Sequence, residues 1–352
     1  MNRFWSKTVS DIKPYIPGEQ PREKKYIKLN TNENPYPPSP KVLESIRNET
    51  SADVRLYPDP DAAALKGAIA LFYQVDCNEV FVGNGSDEVL AFCFPAFFNP
   101  GDAVSFPDIT YSFFPVYSQL FGVKYETVRL NDDFSIPFDD FPSGVRGILV
   151  PNPNAPTGLA VDTDKVEKLL KKFPDTLVIV DEAYVDFGAC SSVPLINKYD
   201  NLLVVQTFSK SRCLAGLRVG FAIGNSGLIE ALERVKNSFN SYTIDRIAQK
   251  AAEAAIEDKH YFYQTVKRIV NTREKTAQEL ERLGFTVIPS KANFLFVSHK
   301  DIAAEDLFVK LRQEGILVRH FRTSRIENWL RISIGTEDDM AVLIEKLKAM
   351  MV

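Results

Sequence analysis

Residues 177–218 read LVIVDEAYVDFGACSSVPLINKYDNLLVVQTFSKSRCLAGLR, and two runs within this stretch decide the fold. LVIVD (177–181) and LLVVQTF (202–208) are short and rich in β-branched residues, and neither alternates apolar with polar positions. That is the pattern of strands covered on both faces, as in a parallel sheet between helices. Each run ends on chemistry: Asp181-Glu182-Ala183-Tyr184 follows the first, Ser209-Lys210 the second. Ligands of open α/β sheets sit at the carboxyl ends of the strands, so these residues are candidates for one site.

Outward from this stretch the texture repeats. VFVG (80–83), AVSF (103–106), KYETV (124–128) and GILV (147–150) read as further strands. Helical pieces lie around and between them: PSPKVLESI, DAAALKGAIALFYQV with Asp59 and Asp61 as cap candidates, SDEVLAFCFPAFF and TDKVEKLLKKF. From about residue 245 the order changes. Two long helical stretches precede NFLFV, ILVRHF and WLRISIG, and DDMAVLIEKLKAM closes the chain. We therefore expect an α/β fold in three parts. Residues 1–30 form an arm packing with the small domain, 31–244 a large domain with a mostly parallel sheet, and 245–352 a smaller α+β domain.

Composition narrows the function. The 352 residues exceed what one core usually serves. A net charge of −4 offers no bulk attraction to nucleic acid or anionic membrane, which favours small-molecule partners. The four cysteines are widely spaced without a CxxC pair, and the N-terminus lacks the apolar core of a signal peptide. Free thiols and a cytoplasmic location are the expectation. None of the three histidines has metal-ligand spacing to a carboxylate or cysteine cluster, so no metal site is expected.

The strand ends form a consistent set. Gly83-Asn84-Gly85-Ser86-Asp87 leads from VFVG into a helix, an arrangement suited to a phosphate, although such a turn is often only a turn. Pro151-Asn152-Pro153-Asn154-Ala155-Pro156-Thr157-Gly158 is either a rigid loop or a presenter of amides. Asp181, at the end of an apolar strand, needs a cation, a protonated pyridine nitrogen being one; helix capping or a basic side chain would also serve. Lys210 follows a buried strand, where desolvation makes an amine nucleophilic. Thr207, Ser209 and Arg218 supply hydroxyls and a guanidinium for a phosphate dianion. Lone lysines are mostly solvated charges, so the combination carries the argument.

In order, the GxGSDE-type turn, Tyr111 in FPDITYSFF, NPxxPTG, DEAY and TFSK with AGLR resemble the fold-type I aminotransferases that use pyridoxal 5'-phosphate. More narrowly they resemble the histidinol-phosphate aminotransferases, from KLNTNENPYP near residue 28 to WLRISIG near 335. The resemblance implies a seven-stranded sheet in the large domain. It also implies that Lys210 holds the cofactor as a Schiff base and acts as general acid–base, while Asp181 pairs with the pyridinium nitrogen. Tyr184 would donate to the ring's phenolic oxygen and Tyr111 would stack on the ring. Gly85, Ser86, Asp87 through its backbone, Thr207, Ser209 and Arg218 would hold the phosphate. Tyr57 would reach the neighbouring subunit's cofactor, which implies a homodimer. In the usual pattern an asparagine precedes PTG and binds the phenolic oxygen; here that position is Ala155, and Asn154 is its candidate replacement.

For the substrate, Arg331 and Arg319 resemble anion-binding arginines, Tyr15 a tyrosine of the arm, and Asn32 a residue of a covering loop. The implied reaction is reversible amino transfer between L-histidinol phosphate and 2-oxoglutarate, a step of histidine biosynthesis. Transamination of aromatic amino acids and decarboxylation of threonine phosphate are the rival activities. An effector-binding module of a transcription regulator would need a helix-turn-helix segment, for which the first 30 residues are too short and proline-rich. A Rossmann dehydrogenase is disfavoured because Gly83-Asn84-Gly85 lacks the third glycine of GxGxxG.

Overall fold

The computed structural model describes residues 3–21 and 26–351; part of the expected arm thus lies outside the described residues. The chain begins with α1 (Lys7–Asp11), β1 (Ile27–Lys28), α2 (Pro40–Glu49), α3 (Ala63–Tyr73), β2 (Val80–Gly83), α4 (Gly85–Phe97), β3 (Ala103–Pro107), α5 (Phe113–Phe121) and β4 (Lys124–Val128). It continues with β5 (Gly147–Pro151), α6 (Thr163–Lys172), β6 (Leu177–Asp181), β7 (Leu202–Thr207), β8 (Gly220–Gly224), α7 (Ser226–Phe239), α8 (Arg246–Glu257) and α9 (Lys259–Arg282). It ends with β9 (Phe285–Ile288), β10 (Phe294–His299), α10 (Ala304–Gln313), β11 (Ile316–Leu317), β12 (Arg319–His320), β13 (Leu330–Ser333) and α11 (Glu337–Met350).

Seven strands form the large sheet in the order β2-β8-β7-β6-β5-β3-β4, with β8 antiparallel to both its neighbours and the other pairs parallel. Its inner strands β5, β6, β7 and β8 are largely apolar because both faces are covered, whereas the edge strand β4 is mostly exposed. Val178, Val180, Leu202 and Val204 enter one core, while Ile179, Leu203 and Val205 enter the other. This is the period-2 alternation of a strand with two apolar faces. The register aligns one edge: Gly83 pairs with Gly220 and Gly220 with Thr207, while Val205 pairs with Asp181 and Asp181 with Pro151. Strand ends from distant sequence positions thereby share a rim.

A smaller domain carries the antiparallel sheet β12-β13-β10-β9 over its own core, in which Leu295, Val297, Leu330 and Ile332 pack with Leu307 of α10 and Leu343 of α11. β1 pairs in parallel with β11, and Leu29 is buried in that same core. α8, in contrast, buries Ala248, Ala251, Ala252 and Ile256 in a core of the large sheet. Among the described residues no helix is long and apolar enough to cross a membrane.

Candidate active site

A cavity of about 520 Å³ opens on the aligned rim of the large sheet and is closed on its other side by the small sheet and by residues 15–20 and 30–33. Its lining includes Ser86, Asp87, Tyr111, Asp181, Tyr184, Thr207, Ser209, Lys210, Arg218, Tyr15, Asn32, Arg319 and Arg331, so residues from both ends of the chain meet in one space.

One end is built for an anion. α4 starts at Gly85, whose φ of +83° is left-handed, a conformation natural to glycine. A Cβ at Gly85 would lie 2.5 Å from Arg218 Nη2, and one at Gly220 only 2.2 Å from the Ser86 nitrogen. Bare backbone on β8 thus lets the helix N-terminus reach the rim, where its unpaired N–H groups and dipole favour negative charge. Arg218 donates to Ser209 Oγ at 3.3 Å and to Asp87 Oδ2 at 3.0 Å, and Thr207 Oγ1 donates to Ser209 Oγ at 3.0 Å. Asp87 also accepts the Tyr111 hydroxyl at 2.5 Å. Its side chain therefore fixes both an arginine and an aromatic ring, a role that expectation for its backbone alone does not cover.

Asp181 ends β6 and is almost fully buried, with the Ala183 N–H donating to Oδ1 at 3.1 Å. Burial pushes its carboxyl up to about 7, Asp87 adds to the rise, and Lys210 opposes it. No ion pair to Asp181 occurs among the described residues. A cation entering the cavity would relieve it. Lys210, just beyond β7, is partly buried; its Nζ donates to the Thr31 carbonyl at 3.3 Å and its own carbonyl accepts Asn34 Nδ2 at 2.9 Å. Tyr184 packs edge-on to Phe294, with centroids 5.1 Å apart, and its hydroxyl accepts Asn32 Nδ2 at 3.0 Å.

The small sheet supplies the remaining wall. Arg331 is a register partner of Arg319, donates to the Asn30 carbonyl at 3.0 Å, and has no partner for Nε. Arg319 donates to the Ile16 carbonyl at 3.3 Å, and Tyr15 stacks on Phe113 at 4.3 Å.

Three expected residues do not line this cavity: Gly85, buried behind Arg218, and Asn154 and Tyr57. Asn154 is buried outside the lining, its Nδ2 donating to the Ile109 carbonyl at 3.0 Å, and Ala155 faces the space instead. The one-residue offset turns the amide into the loop, so Asn154 does not replace the side chain missing at 155. Tyr57 is 77% exposed, stacks on Tyr242 at 4.4 Å, and does not line its own chain's cavity. Conversely, Thr31 and Glu33 line the cavity beside Lys210 without having been singled out. The density of polar residues in LNTNENP was the available signal. No group of three potential ligands is placed to hold a metal ion among the described residues.

The donor set fits pyridoxal phosphate: an anion cradle that added Cβ atoms would fill, an amine, and a buried carboxylate lacking a cation. Comparison with known proteins agrees. Residues 24–347 match the family model for aminotransferase class I and II. The chain is 53% identical over 348 residues to the histidinol-phosphate aminotransferase of Clostridium beijerinckii, covering 99% of this chain and 97% of that one. It is 54% identical to that of Clostridium acetobutylicum, covering 99% of each. The fold superposes with a TM-score of 0.87 on a Sinorhizobium meliloti histidinol-phosphate aminotransferase solved with pyridoxal-5'-phosphate, at 23% identity and covering 99% of this chain and 98% of that one. An anion cradle, an amine and a buried carboxylate on one rim, in a chain matched over nearly its whole length, place this protein in the class I and II aminotransferases, among the histidinol-phosphate aminotransferases.

Proposed function

We propose that the chain catalyses reversible amino transfer between L-histidinol phosphate and 2-oxoglutarate, using pyridoxal phosphate. The observation that carries this reading is the union, in one cavity, of the cradle around Ser86 and Arg218 with a second cationic wall of Arg319 and Arg331. The first suits a cofactor's phosphate. The second suits the phosphate ester of one substrate and a carboxylate of the other, because guanidinium forks accept both.

When bound, the cofactor supplies an electron sink that makes the substrate's Cα–H acidic. Lys210 would hold the cofactor through its amine and would move a proton at the substrate's Cα. Asp181 would hold a proton on the ring nitrogen through its charge, and Tyr184 would donate to the ring oxygen. Ser86, Thr207, Ser209 and Arg218, with the α4 N-terminus, hold the phosphate. Tyr111, anchored by Asp87, would pack against the ring. Arg319, Arg331 and Tyr15 orient the substrate and exclude water from the reacting carbon.

We also infer a homodimer in which Tyr57 reaches the neighbouring cofactor phosphate; its exposure, beside exposed Val54 and Leu56, supports this reading. A cytoplasmic location accords with biosynthetic chemistry. The domain boundary falls best after α8, because that helix shares the large sheet's core.

A single-turnover experiment tests the substrate. Mixing the loaded protein with L-histidinol phosphate should deplete the cofactor's visible band and release the keto product. Turnover with phenylalanine but not histidinol phosphate would replace this reading with aromatic transamination, and carbon dioxide release from threonine phosphate would replace it with decarboxylation.

A further inference from the structure

Asn32 is 1% exposed and holds a left-handed backbone, with φ of 55°. Its groups are committed. The backbone N–H donates to Ser333 Oγ at 2.8 Å, Oδ1 accepts the Ser333 hydroxyl at 2.8 Å, and the carbonyl accepts Asn293 Nδ2 at 3.0 Å. Nδ2 donates to the Tyr184 hydroxyl at 3.0 Å. An amide nitrogen can only donate. The Tyr184 oxygen is therefore the acceptor in that bond, and its one hydrogen is left for the cavity that Tyr184 lines. With Ala155 on the wall and the Asn154 amide bonded to Ile109, neither residue offers an amide there.

We propose that Asn32 is a positioning residue that fixes Tyr184 as a hydrogen-bond donor toward the cofactor's ring oxygen, and that it is not a ligand of the substrate. This inference rests on the reading of Tyr184 as that donor. Ser333 orients the amide, so the polarity of a hydroxyl on the large domain is set from β13 of the small sheet.

The test is a pH titration of the visible absorbance of the pyridoxal phosphate-loaded protein in wild type, Asn32→Gly, Tyr184→Phe and the double variant. Glycine adopts the left-handed backbone without strain. The proton on the nitrogen linking Lys210 to the cofactor is shared with the ring oxygen, and a donor to that oxygen competes for its charge. Weakening the donor raises the midpoint. Asn32→Gly is expected to raise the acid affinity about three- to tenfold. Tyr184→Phe should raise it at least as much, and Asn32→Gly should add nothing once Tyr184 is phenylalanine. The dissociation constant of pyridoxal phosphate from the apoprotein, by equilibrium dialysis, should weaken in step.

An unmoved midpoint in Asn32→Gly with a raised KM for histidinol phosphate would assign Asn32 to the substrate and overturn the proposal. An equal shift in both Tyr184 backgrounds would overturn it too. If Tyr184→Phe leaves the midpoint in place, the reading of Tyr184 itself fails, which separates the two conclusions. Should Asn32→Gly not fold, Asn32→Asp answers the same question: it keeps an acceptor for Ser333 and puts an acceptor where the donor was, so the midpoint must rise.

Discussion

Arg319 and Arg331 are register partners across the β12–β13 ladder. Like charges directly opposite in an antiparallel pair repel, and Arg319 contributes to holding the Arg331 guanidinium below its ordinary range, after burial as the larger cause. Such a pair is costly without an anion. Arg319→Met should therefore leave the thermal midpoint of the anion-free protein unchanged or raised, while raising KM for histidinol phosphate about 10–100-fold. Calorimetry in phosphate-free buffer and steady-state kinetics check both halves; a lowered midpoint would show that the pair is structural.

The rim carboxylates set a pH dependence of the apoprotein. Burial raises Asp181 to about 7 from 3.8 and Glu182 to about 7 from 4.5. Over that window the folded chain holds protons that the unfolded chain has released. Stability from these groups is thus fullest below pH 4 and declines as pH rises through 7, by at most about 1.4 kcal/mol per pH unit for each group. Urea titrations of apoprotein between pH 5 and 8 should show the decline, and Asp181→Asn should make it shallower, leaving the part due to Glu182. Loading the cofactor should also make it shallower, since a ring cation favours the charged carboxylate.

Gly220→Ala would drive a Cβ into the backbone of Gly85 and Ser86. The expected result is a loss of about 1–3 kcal/mol in stability together with weakened cofactor binding, because the α4 N-terminus must retreat. Dialysis against pyridoxal phosphate separates this from a purely structural effect: a full loss of stability with unchanged affinity contradicts the assignment of the cradle.

Lys210→Ala should cut turnover by about 10²–10⁴-fold or more through loss of the proton carrier alone. Borohydride treatment followed by peptide mass mapping should locate a covalent cofactor adduct at Lys210 in the wild type and none in the variant. An adduct at another lysine would move the assignment.

Much of this arrangement was legible in the chain. Strands such as LVIVD and LLVVQTF announce themselves because both faces are buried, and their terminal residues reach one rim by register. β8 is less visible: a short run between Gly220 and Gly224 becomes a strand through pairing with β2 and β7, which local sequence does not encode. β1 likewise exists only against β11. The facing of Ala155 rather than Asn154 depends on the path of a proline-rich turn. The bond from Asn32 to Tyr184 spans 152 residues and has no local signature.

With no cofactor bound, the Lys210 amine donates to the Thr31 carbonyl, between Leu29, whose own carbonyl is bonded by Ser333, and Glu33. The strip that holds the amine is thus stitched to the strand that carries Arg331. One short piece of backbone therefore serves both walls of the cavity: the Thr31 carbonyl takes the Lys210 amine, and the neighbouring Asn30 carbonyl takes the Arg331 guanidinium.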